Sequence, residues 1–147
     1  MKKILMSAVA LTVFSLSIIL FQISCKKEAV ADVTPGSSSI KGLWIGTYTT
    51  DTHADLGEQY FSLIIKPDGT MIADTKGAAQ QHLAPGTWTL KADTLTCTFT
   101  CVYGIASNIG VTETAVAVWD KAAKLHGIWK NYPNPTGSGI ITLTKVN

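Results

Sequence analysis

"TLTCTFTCVY", residues 94–103, sets Thr94, Thr96, Thr98 and Thr100 in alternation with Leu95, Cys97, Phe99, Cys101 and Tyr103. A helix would scatter these two groups around its axis. A pleated strand places all the threonines on one face and all the apolar side chains on the other. β-Branched threonine facing water and apolar residues facing inward make a half-buried antiparallel strand. The same spacing bears on the two thiols. Cys97 and Cys101 lie four residues apart on one strand, so their α-carbons are separated by about 13 Å. A disulfide needs less than about 7 Å. Both cysteines are therefore expected as free, core-facing thiols that share no metal.

Period two extends outward from this segment in both directions. It predicts eight strands, near 43–49, 59–66, 69–75, 86–91, 94–103, 111–119, 124–131 and 138–145. In "YFSLIIK", residues 60–66, Phe61, Leu63 and Ile65 share one face. The connections carry turn chemistry. Lys66-Pro67-Asp68-Gly69 offers a proline at a turn entry and a glycine for positive φ. Ala92-Asp93 and Lys121-Ala122-Ala123 are other short links. No segment after residue 40 has a helical period. These features predict an all-β domain over 41–147, a single antiparallel eight-stranded up-and-down barrel, whose closure leaves no open edge. A two-sheet β-sandwich is the competing arrangement. The Gly-x-Trp tripeptide recurs at Gly42-Leu43-Trp44, Gly86-Thr87-Trp88 and Gly127-Ile128-Trp129. That spacing invites a propeller reading, but one short domain cannot supply enough four-stranded blades.

The chain has 147 residues, room for one domain. All 12 basic residues are lysine, and from Cys25 onward ten lysines balance ten acidic residues. Bidentate recognition of phosphate or guanine uses the arginine fork, which this chain lacks. A nucleic-acid partner is not expected, and neither is electrostatic steering toward a strongly charged partner. The N-terminus differs from the rest. Lys2 and Lys3 precede an uncharged run from Ile4 to Phe21, which ends at Gln22-Ile23-Ser24-Cys25 and two further lysines.

This leader resembles a bacterial lipoprotein signal; an uncleaved membrane anchor and an ordinary cleaved secretory signal are the alternatives. Ser24 and Cys25 match the end of the lipobox, Ile23 is tolerated, and Gln22 departs from it. The resemblance implies a signal peptide over 1–24, cleavage before Cys25, and a diacylglycerol thioether on Cys25. It also implies acylation of the new amine, with palmitate among the expected chains. At about 0.8 kcal/mol per buried CH₂, two or three chains anchor stably where one does not. Residues 25–40 then form the lipidated N-terminus and a tether marked by Pro35, Gly36 and three serines. Lipoprotein sorting in that family retains proteins at the inner membrane when Asp follows the cysteine. Lys26 stands there, which points to the outer membrane.

The opening strand "IKGLWIGTY", residues 40–48, resembles the Gly-x-Trp strand of lipocalin-like calycin barrels, and of avidin-like ones. There the tryptophan closes one barrel end. The basic residue that lipocalins stack on it would here be a lysine such as Lys130 or Lys145.

Sites for chemistry are sparse. Asp51, His53 and Asp55 in the first loop have an incomplete calcium-loop spacing, with His53 in place of an oxygen ligand and no distal glutamate in position. They are the weak metal candidates. His82 and His126 are isolated, and Gln80-Gln81-His82 reads as an exposed loop. There is no nucleophile elbow and no carboxylate pair. No catalytic residues and no cofactor are expected. Tyr48, Tyr60, Trp88 and Trp119 are the aromatic candidates for contact with a ligand. The expected function is a non-catalytic, membrane-anchored lipoprotein of the cell envelope that binds a small apolar or amphipathic ligand in its barrel mouth. The alternative is an envelope protein–protein interaction or inhibitor domain with a filled barrel.

Overall fold

The computed structural model describes residues 39–77, 80–133 and 135–146. The expected signal peptide 1–24, the lipidation site Cys25 and the tether as far as residue 38 lie outside the described residues. Eight strands form the domain: β1 (Gly42–Tyr48), β2 (Gln59–Ile65), β3 (Thr70–Lys76), β4 (Gln81–Lys91), β5 (Thr94–Thr100), β6 (Thr112–Trp119), β7 (Lys124–Tyr132) and β8 (Ser138–Lys145). One 3-10 helix, Asp51–Leu56, lies between β1 and β2. Each strand pairs antiparallel with the next, and β8 pairs with β1. The molecule is a closed up-and-down barrel, and the sandwich arrangement is excluded.

Two boundaries differ from the expectation by more than one residue. β4 begins at Gln81 rather than 86, so Gln81 and His82 belong to a strand and not to an exposed loop. Pro85 lacks an N–H and Gly86 lacks a side chain, and together they hide the strand's first half. β5 ends at Thr100. The alternation continues through Tyr103, but there the chain has left the ladder. Tyr103 forms only an isolated bridge to Leu83 and is 54% exposed, instead of facing the core.

The inward positions form the core, and they are not uniform along the barrel axis. At one end the inward side chains are Trp44, Ile65, Met71, Leu95, Leu125 and Leu143, each 2% exposed or less. Removing each such side chain from water contributes about 1.5–3 kcal/mol. A void of about 10 Å³, no more than one water-sized probe, lies between Leu95, Leu125 and Leu143 of this end and the Phe61 and Phe99 layer above them. Trp44 stops this end. Its indole N–H donates to the Ile40 carbonyl at 2.8 Å. Lys145, paired with Trp44 across β1 and β8, holds its ammonium 5.9 Å from the indole centroid and donates to the Ser39 carbonyl. Of the two lysines considered for that place, Lys145 occupies it and Lys130 is exposed.

Gly86 and Gly127 are two of the glycines at which adjacent strands approach too closely for a side chain. A Cβ at Gly86 would lie 2.1 Å from the Thr98 carbonyl oxygen, and one at Gly127 would lie 2.0 Å from that of Val116. Both are inward positions where adjacent strands bend past each other, and glycine permits the approach. Connections at the closed end are short and pinned. Asp68 accepts hydrogen bonds from the Thr70 amide and hydroxyl, and Asp120 accepts from the amides of Ala122 and Lys124. These bonds hold both carboxyls below the usual carboxylate range. At the other end lie the long segments 49–58 and 101–111.

Candidate functional site

Four strands, β3, β4, β6 and β7, keep the same inward parity toward the far rim but change chemistry. After Ala73 comes Thr75, before Ala84 comes His82, before Ala115 comes Glu113, and after Trp129 comes Asn131. Apolar packing stops one or two rungs short of the rim. The result is an open cup of about 390 Å³ over a solid lower half. This falls in the usual range for small-molecule sites, about 300–1,000 Å³. Phe61, Phe99, Ala73 and Ala84 belong to its apolar floor and wall, and polar side chains ring it above them.

An aromatic wall runs along one side. The Tyr48 ring packs edge-on against Phe61, with centroids 6.2 Å apart, and against Trp129 at 6.0 Å. Trp129 is fixed by donation from its indole N–H to the Thr49 carbonyl at 2.8 Å, and Tyr48 by donation from its hydroxyl to Gln59 Oε1 at 3.1 Å. Opposite stands the β5–β6 segment. It leans on β4 through bonds between Leu83 and both Val102 and Tyr103, and it sets Asn108 at 3.3 Å from His82. Gly104 is needed here. A Cβ on it would lie 2.0 Å from the His82 ring, and its φ of +144° suits glycine alone.

Glu113 is the carboxylate of the cup. On the β-ladder it sits beside Phe99 of β5 and Asn131 of β7. Burial raises its pKa to about 7. Tyr48 is raised by its own burial and by the nearby Glu113 charge. Cys101 is raised by burial and by the Glu113 charge, with a backbone hydrogen bond of Tyr103 working against this; its thiol also donates to the Tyr103 carbonyl at 3.3 Å. Cys97 lies deeper, and burial pushes its thiol up to about 12. Both cysteines are free. A thiol held protonated is a poor nucleophile.

The sequence candidates separate on this geometry. Tyr48 and His53 line the cup. Tyr60 points outward at 40% exposure, Trp119 is buried near the closed end, and Trp88 packs against the core with its indole N–H donating to the Lys66 carbonyl. Asp51 accepts a 2.7 Å bond from Ser138, and Asp55 is exposed. Among the described residues, no three histidine, cysteine or acidic side chains converge as a metal-ligand set. Sequence reasoning missed Glu113, Asn131, Thr75 and His82 as cup residues. The available signal was parity: each lies two residues beyond an apolar inward position.

Charge is also segregated along the axis. Lys41, Lys66, Lys91, Lys121, Lys124 and Lys145 occupy the closed end against Asp68, Asp93 and Asp120. The open end carries Asp51, Asp55, Glu58, Asp74 and Glu113 against Lys76 and Lys130. The near-zero sum therefore conceals a polarity, positive at the closed end and negative at the mouth. Steering of charged partners, which the net charge argued against, is available locally.

The fold and the site together define a closed β-barrel with one packed end and one open, amphipathic end. Compared with protein-family models, curated proteins and solved structures, the chain matches none.

Proposed function

We propose that this protein is a lipid-anchored, non-catalytic binding module of the cell envelope that takes a small amphipathic molecule in its open cup. One observation carries the reading: among the described residues, a cup of about 390 Å³ lies over a packed layer whose void is about 10 Å³. A barrel that served only as a scaffold could bury apolar side chains at both ends and gain stability. Here the rim positions hold threonine, histidine, glutamate and asparagine on an aromatic and aliphatic base. That pairing favours a ligand with an apolar body and a polar head. The alternative of an interaction domain with a filled barrel would need an interior without such a cup.

The lipid anchor fits this arrangement. The described chain enters the barrel at Ser39 and Ile40, beside Trp44 at the closed end. That entry point is at the end of the barrel opposite the mouth. The excess of lysine at the closed end suits an anionic lipid surface.

The test is native mass spectrometry of the full chain purified from its own membranes. The expected spectrum carries acyl chains on Cys25 and a non-covalent adduct small enough for the cup. Unlipidated Cys25 would overturn the anchor. A protein free of adduct, which also takes up no small amphiphile on titration, would overturn the binding function.

A further inference from the structure

We propose that the ligand is a small organic cation, an ammonium group on an apolar or aromatic body, with the ammonium held at Glu113. This rests on the binding function above and names the chemistry of its ligand. Three independent observations lead to it.

First, Glu113 stands between Phe99 and Asn131 on the ladder. No lysine is among the described residues that line the cup. Two histidines, His53 and His82, also line it, but among the described residues Glu113 makes no ion pair. Burial without a partner opposes ionisation, which the rise of its pKa to about 7 expresses. A bound ammonium supplies the missing charge and restores the ionised carboxylate. A bound carboxylate would add like charge.

Second, Tyr48, Phe61 and Trp129 form a contiguous aromatic wall facing the same space. Aromatic faces attract cations, tryptophan most strongly, and they also bury an apolar body. A carboxylate and an aromatic wall in one cup suit an ammonium better than any neutral head group.

Third, besides Glu113 the open end bears four carboxylates and two lysines. The field at the mouth attracts cations before contact and repels anions.

The experiment compares three probes that share a phenyl body: 2-phenylethylamine, 2-phenylethanol and 3-phenylpropionate. Each is titrated by calorimetry into the full chain in an uncharged detergent at neutral pH. The amine should bind about tenfold more tightly than the alcohol, as charge-assisted contacts do, and the carboxylate should bind most weakly. In Glu113→Gln, which keeps the shape of the side chain, the preference for amine over alcohol should vanish. An alcohol or carboxylate that binds as tightly as the amine overturns the cation proposal but leaves the binding function standing. So does a preference that survives Glu113→Gln. Failure of all three probes to bind overturns both. The wild-type series needs no variant, so a folding defect in Glu113→Gln would not shield the proposal.

Discussion

Glu113 costs stability in proportion to how far it is ionised. Its carboxyl moves from the ordinary 4.5 to about 7 in the folded barrel, because burial penalises the charge. Between those two values the folded state holds a proton that the unfolded chain has released. Stability therefore falls as pH rises through this window. At about 1.36 kcal/mol per pH unit, the full loss is about 3 kcal/mol. The other titratable groups facing the cup are Tyr48 of β1, His82 of β4, Cys101 of β5 and His53 of the 3-10 helix. All of them persist in Glu113→Gln. Urea unfolding of both proteins at pH 5 and pH 8 should show a steeper decline in the wild type, and parallel declines would refute the assignment. The thiols supply a second prediction. Iodoacetamide at pH 8 should leave Cys97 and Cys101 unmodified in the folded protein and alkylate both after unfolding without reductant. A missing pair of alkyl groups after unfolding would indicate a disulfide. The free thiols were legible in the sequence, because strand spacing alone keeps them apart. Glu113 was not, although it obeys the same parity as Ala115 and Ala117. One charged residue within an alternating strand reads as a rim position until the neighbouring strands are known to end in polar residues too.

Strands were legible where apolar and polar residues alternate, and they blurred where glycine, proline or a loop mimicked or broke the pattern. β5 could be read at once from Leu95, Cys97 and Phe99. The first half of β4 was hidden by Pro85 and Gly86, and with it went the placement of His82 in the cup. The end of β5 was overrun, because Cys101 and Tyr103 continue the alternation after the ladder has ended. The glycines were visible as Gly-x-Trp, but their role was not: the indole accounts for the tryptophan, and the neighbouring strand's carbonyl accounts for the glycine. Gly86→Ala should therefore lower stability by more than the about 1 kcal/mol of a backbone-entropy effect, and in the destabilising direction, because its Cβ would fall 2.1 Å from the Thr98 oxygen. Gly57→Ala serves as the comparison, since its Cβ meets no atom within 4 Å although its φ is +61°. If thermal melts gave both variants the same loss, the close-approach argument would fail. Trp44→Ala removes the plug of the closed end and should cost about 3–5 kcal/mol. A melting temperature within a degree or two of the parent would refute its structural role.

Across the whole molecule, the barrel is built as two halves with different tasks. One half packs leucine, isoleucine, methionine and Trp44 until nothing remains to fill. The other keeps the same inward rows and gives them polar ends, an aromatic wall and one carboxylate. Closure was legible from the strand count and the short turns. The division into halves was not, because it depends on which rung of each strand falls at which height, a property of register. The charge polarity stayed hidden for the same reason, since a balanced composition does not reveal which strand ends meet at one pole. That division is the central claim, and its consequence is that small amphipathic molecules bind at one end and nowhere else. The most direct measurement is a map of amide and indole chemical shifts, recorded on the isotopically labelled full chain as 2-phenylethylamine or 2-phenylethanol is added. For both probes the account predicts shifts concentrated at Tyr48, Glu113, Trp129 and Asn131, with Trp44, Leu125 and the outward Val116, Ile128 and Ile140 unmoved. Shifts spread over those outward residues, or none at the cup, would contradict it.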